Sequence, residues 1–171
     1  MSYPPQYPQS GQPSFYGEPP LWAPYYGASL PVAFRRFWLK YAAFSGRASR
    51  SEYWWWMLIS VGVVIAVEIL MAIAGIAGAS TTAYGTTPGP GAGLLGILLI
   101  LWGLATVVPG LALGVRRLHD ANLSGLLLLL ALIPFLGGIA VLVMTLLPSN
   151  PQGQRFDRPT GPAARPFPGR Y

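Results

Sequence analysis

Three stretches of the chain, 54–78, 93–115 and 125–147, are almost continuously apolar and contain no Lys or Arg. At about 1.5 Å of rise per residue, each predicts a helix able to cross the roughly 30 Å of hydrocarbon in a bilayer. Only helices and closed barrels satisfy their backbone in lipid, and the uninterrupted runs exclude a barrel, whose strands alternate. A shorter pattern precedes them. In PVAFRRFWLKYAAF, residues 31–44, a period of 3.6 gathers Phe34, Phe37, Trp38, Tyr41 and Phe44 on one side and sets Arg36 and Lys40 opposite, with Arg35 to the side. This predicts an amphipathic helix lying in the membrane interface, its cations turned away from the aromatic face.

The third apolar run is interrupted by LIPFLGG at 132–138. Pro134 removes a helical hydrogen bond and the two glycines permit a turn. A single span kinked at Pro134 is favoured over a re-entrant hairpin, because Pro-kinked spans are common. The fold class expected is therefore an all-α integral membrane protein: an interfacial amphipathic helix and three apolar transmembrane segments packed as a bundle. Spacings of small residues at Ala74/Gly78 and Gly110/Gly114 fit close helix packing, within one chain or between copies.

Outside this membrane domain, 31–147, the chain changes character. Residues 1–30 carry seven prolines and five tyrosines with no Lys or Arg. They predict a disordered tail lacking the basic start and apolar core of a cleavable signal, so that the first span serves as the insertion signal. Residues 79–92, ASTTAYGTTPGPGA, read as an uncharged loop, and 116–124, RRLHDANLS, as a tight polar connection with Ser124 capping the next segment. Residues 148–171 form a second Pro/Gly/Arg-rich tail, ordered near its start.

Charge assigns a side to each connection. Five Lys and Arg lie between 34 and 53, none in 79–92, two at 116–117 and four after 147. The positive-inside rule puts the N-terminal flank and the RRLHD connection in the cytoplasm and the Thr/Gly loop outside. A third full span then leaves a tail with four arginines outside; a hairpin would bring every basic residue to the cytoplasmic side. With charged residues at only 9% and a mean hydropathy of +0.46, the chain has too little polar surface for a soluble domain of its length. The net charge of +6 sits beside apolar segments, which points to anionic lipid headgroups and away from nucleic acid. The absence of cysteine and the single histidine, His119, leave no donor set for a metal and suggest no cofactor.

The candidate chemistry lies in two charged islands. In FSGRASRSEYWWW, Ser49 and Glu52 have the spacing of a capping box that starts a helix, and the residues from Tyr53 to Trp56 suit the headgroup belt. Arg47 and Arg50 are not explained by either. Asp120 in RRLHD is expected to pair with Arg47 or Arg50, and Glu52 with Arg116 or Arg117, as a latch at the cytoplasmic mouth. The cluster of Arg47, Arg50, Glu52, Arg116, Arg117, His119 and Asp120 would suit anionic lipid or a protein partner, since facing guanidinium groups make a forked anion site. His119 and Asp120 could form an acid–base pair, but no nucleophile or metal set accompanies them. Glu68, about 21 Å along the helix from Trp54, is the one ionisable residue inside an apolar run. A transporter or channel subunit would use it for proton or cation passage, although no second group in the spans completes a relay.

FWLKYAAFSGRASRSEYWWW, then VRRLHDANLSG, then PSNPQGQRF together resemble the bacterial inner-membrane family known as domain of unknown function 805 (DUF805). The matching positions include Phe44, Gly46, Arg47, Ser49, Arg50, Glu52 and Tyr53, then Arg116, Arg117, His119, Asp120, Ser124 and Gly125, then Gly153, Arg155 and Phe156. Leu126 and Leu127 stand where the family usually has tryptophans, and Gln154 and Asp157 where it usually has Asn and Gly. The resemblance implies a multi-span plasma-membrane protein and no particular activity. The reading is of a non-enzymatic protein of the bacterial plasma membrane, N-terminus cytoplasmic, with lipid, a second copy or another membrane protein as partner.

Overall fold

A computed structural model of the chain describes residues 18–157. Helix α1 (Leu30–Leu39) leads into α2 (Arg50–Ala77), a hairpin of β1 (Ser80–Thr82) and β2 (Gly85–Thr87), and α3 (Pro90–Asp120). A 3₁₀ helix (Gly125–Leu132), α4 (Leu136–Leu146) and a second 3₁₀ helix (Pro151–Phe156) follow.

The start of α2 follows its sequence signal. The Ser49 hydroxyl accepts from the Glu52 amide at 3.1 Å, and the Glu52 carboxylate accepts from the Ser49 amide at 3.0 Å. In the expected loop, the threonines form a small antiparallel ribbon with Ser80 opposite Thr87, turning at Gly85 with φ of 134°. The ribbon lets α2 and α3 return alongside each other: a Cβ added at Gly78 would lie 2.9 Å from the Cα of Gly89. At the other end of this pair, Trp56 and Trp102 rings lie 6.0 Å apart.

Helix α3 runs past the predicted boundary, so RRLHD forms its last turns and is not a separate connection. It ends in a left-handed Asn122, φ 61°, with the Leu123 amide donating to the Leu118 carbonyl. Within α3, Pro109 has no amide to donate to the Ala105 carbonyl four residues earlier, and the Tyr41 hydroxyl donates to that oxygen at 3.0 Å instead.

The third apolar run corrects the expected kinked span. Its 3₁₀ arm and α4 are each about 16 Å long, half a bilayer core. Between them the chain reverses at Pro134 and Phe135, the latter at φ 61°. Gly137 sits against the Leu130 carbonyl where a side chain would collide. The returning end reaches the end that it left, since the Thr145 and Leu147 carbonyls both accept from Arg117. Among the described residues, only α2 and α3 are long and apolar enough to cross a membrane.

Two further expectations change. Residues 18–29 are not a loose tail: Ala23 and Ala28 are buried, and the segment packs over the start of α2. The rest of the expected tail, 1–17, and 158–171 of the C-terminal one lie outside the described residues. In α1, Phe37 stacks on Trp56, and Arg36 and the C-capping Lys40, expected on the face opposite the aromatic residues of an interfacial helix, are only 2% and 4% exposed. Their burial comes from a carboxylate that the helical period of α1 cannot reveal.

Among the described residues, the charges of one end are thus largely buried while much of the apolar surface of α2 and α3 is exposed. Leu58, Ile65, Ile73, Ile97, Leu101 and Leu104 are all more than half exposed, and none of the most apolar window of α2 is buried. A soluble core would have the opposite arrangement.

Candidate functional site

Two ionic centres occupy one end of the molecule. The first surrounds Glu52, 3% exposed at the start of α2. Its Oε1 accepts from Arg36 Nε at 2.6 Å and lies 3.3 Å from Lys40 Nζ; its Oε2 accepts from the amides of Ser49 and Tyr25, each at 3.0 Å. Arg36 also donates to the carbonyls of Pro19, Pro20 and Ala23, so one guanidinium gathers a segment that has no regular structure of its own. Arg116, 2% exposed, donates from Nε to the Ala112 carbonyl at 3.1 Å, while its Nη2 has no partner among the described residues.

Positive charge is in excess here. Burial pushes the Lys40 amine down to about 7; Glu52 opposes that shift, and Arg36 and Arg116 add to it. Arginine does not release its proton, so Lys40 is the group that can become neutral.

The second centre surrounds Asp120, fully buried at the end of α3. Its Oδ2 accepts from Arg117 Nη1 at 2.7 Å and from the Ser149 hydroxyl at 2.5 Å. Its Oδ1 accepts from the Tyr26 hydroxyl at 2.8 Å and lies 3.7 Å from Arg47 Nη1. Arg47 in turn grips Asp157 with Nε and Nη2, at 2.9 and 2.6 Å from Oδ2. Burial, followed by the Asp120 charge, pushes the Tyr26 hydroxyl up to about 12. The Asp120 carbonyl accepts from the Asn150 amide at 2.8 Å, fastening the chain after α4 to the end of α3.

The expected pair of Asp120 with Arg47 is present, and Asp120 also binds Arg117. The pairing of Glu52 with Arg116 or Arg117 is replaced by Arg36 and Lys40, because α1 lies across the start of α2. Arg50 is exposed and joins neither centre. His119 and Asp120 do not form an acid–base pair: His119 Nδ1 lies 3.1 Å from the Gly46 carbonyl, and its ring stacks on Phe156 at 4.0 Å. Glu68 is exposed on α2, with no hydrogen-bond partner among the described residues. Tyr26, Arg36, Lys40, Ser149 and Asp157 were not among the expected site residues. The i, i+4 spacing of Arg36 and Lys40 placed them on one face, but nothing local marks that face as covered.

A family comparison adds identity to this geometry. The profile described as "Protein of unknown function (DUF805)" matches residues 41–158, which include both carboxylates and the doubled-back segment. The chain belongs to the DUF805 family. It is 38% identical over 103 residues to inner membrane protein YhaI of Escherichia coli K12, covering 60% of this chain and 73% of that one. It is 32% identical over 116 residues to inner membrane protein YhaH of the same strain, covering 68% and 85%. No solved structure matches. The relatives and the two long apolar helices support a location in the bacterial inner membrane.

Proposed function

We propose that this DUF805 protein is a non-enzymatic, multi-pass plasma-membrane protein whose two ionic centres latch its helices together at the cytoplasmic face and hold a surface there for anionic lipid or a protein partner. In this reading α2 and α3 span the bilayer, α1 lies in the interface, and 125–147 is a re-entrant hairpin that completes the packed bundle. The N-terminal flank, the end of α3 and the chain after α4 are then all cytoplasmic.

The carrying observation is that Arg117 binds the carbonyls of Thr145 and Leu147 while Asp120 binds Ser149. This returns the C-terminal segment to the side where α2 begins. Every Lys and Arg of the described residues then lies at one end, as the positive-inside rule requires. A catalytic role for His119 and Asp120 has no such support, since neither group faces the other.

Reporter fusions test the topology. A C-terminal fusion that is active only in the cytoplasm should be active, and one inserted in 80–87 should be silent. An inactive C-terminal fusion overturns the hairpin reading.

A further inference from the structure

The sequence groups four arginines at one membrane face, and the fold divides them unequally. Arg47 is taken up by Asp157 and Asp120, Arg117 by Asp120 and two carbonyls, and Arg116 is buried beside the Ala112 carbonyl. Of the four, only Arg50, the first residue of α2, is exposed. No carboxylate of the described residues lies within ion-pair distance of it. Glu52, two residues further on, is turned to another face and already holds Arg36 and Lys40.

Arg50 stands at the head of an open groove of about 650 Å³, lined further along by Trp54, Trp55, Leu58 and Val61. Arg50, Trp54, Leu58 and Val61 recur at spacings of three and four, so they form one outward stripe of α2. Leu58 and Val61 are 58% and 48% exposed. Besides the indole N–H groups of Trp54 and Trp55, the lining has the Ser51 hydroxyl, which accepts from the Ala28 amide at 3.0 Å and donates to the Tyr25 carbonyl at 3.2 Å. The groove is therefore an almost wholly apolar surface with one exposed cation, Arg50, at its rim.

We infer that this groove binds an anionic phospholipid, the phosphate on the Arg50 guanidinium and an acyl chain along Trp54, Leu58 and Val61. The fork of Arg50 can give two parallel hydrogen bonds to phosphate oxygens, and the tryptophans lie at the depth where aromatic rings meet headgroups. The inference rests on the reading that α2 crosses the bilayer, but not on which side its start faces.

The full chain would be reconstituted in nanodiscs containing equal amounts of phosphatidylglycerol and phosphatidylcholine, then released into detergent, and the retained lipid counted by native mass spectrometry. The parent should retain phosphatidylglycerol preferentially. Arg50→Gln should lower that retention about tenfold, as expected for losing one charge-assisted contact. Arg50→Lys should give an intermediate loss, and Trp54→Ala should weaken retention without abolishing the preference. Arg35→Gln, at an exposed arginine of α1 that pairs with Glu18, should change nothing. Equal retention by Arg50→Gln, an equal loss from Arg35→Gln, or displacement of the lipid by excess inorganic phosphate would overturn the site. So would disulfide cross-linking of Val61→Cys between two copies, because the stripe would then be covered by protein. Both leaflets of the disc have the same composition, so an error in sidedness would appear in the reporter fusions and leave this result unchanged.

Discussion

The Glu52 and Asp120 centres have the same ingredients but opposite balance. Glu52 has Arg36 and Lys40 in ion-pair reach and Arg116 buried nearby, so one carboxylate serves a group of cations. Around Asp120, Arg47 and Arg117 face two carboxylates, and the Thr145 and Leu147 carbonyls take the other Arg117 donors. The reach of the two centres also differs. The side chains joined at Glu52 come from positions 36 to 52, whereas those at Asp120 come from 26, 47, 117 and 149. The first fixes how α1 enters α2; the second ties the N-terminal segment, α3 and the end of the hairpin at one point. An unbalanced centre depends on its single anion, while a balanced one shares its load.

Removing the anion should separate them most clearly. Glu52→Ala should cost about 3–5 kcal/mol of unfolding free energy, measured in detergent, since it leaves buried cations and two amides without their acceptor. Asp120→Ala should cost less, about 3 kcal/mol, because Arg47 keeps Asp157 and Arg117 keeps two carbonyls. If Asp120→Ala proves the more damaging, the contrast between shared and unshared load is wrong.

A pH series should resolve the next difference. In the folded chain the Lys40 amine titrates at about 7, against 10.5 for its ordinary value. Between these values the unfolded chain binds more protons, so stability should rise with pH from about 7 to about 10.5, with no slope from Lys40 below about 7. Lys40→Met should remove that slope, and a slope that persists in this variant would place the titration elsewhere. The smallest effect should come from Ser149→Ala, about 1 kcal/mol, because Asp120 keeps its other donors. A loss comparable to that of Asp120→Ala would mean that Ser149 carries the C-terminal attachment alone.

The legible parts of this fold are those encoded by near neighbours. The 28-residue run of α2 that starts at its capping box, and the Ser124 cap, accepting from the Leu126 amide, follow from local spacing. The Arg47–Asp120 pair was legible because both sit in charged islands on the same predicted side. Arg36 and Lys40 could be placed together opposite the aromatics of α1, but their carboxylate partner could not be read, since a helical period says which residues share a face and not what covers it. Residues 18–29 were equally opaque. Their order comes from Arg36 and Glu52 satisfying main-chain groups, and no pattern within the segment reports that.

The sequence by itself determined the apolar lengths, the helix start at Ser49 and the concentration of positive charge beside the first and second apolar runs. These depend on hydropathy and on hydrogen bonds between residues three or four apart. Only the tertiary structure decided that 125–147 turns back at Pro134, that Glu52 pairs with Arg36 and Lys40, and that Arg50 alone of the four arginines remains exposed. Each of those outcomes depends on which distant group satisfies a buried charge or carbonyl, and the partners meet only when the chain has folded.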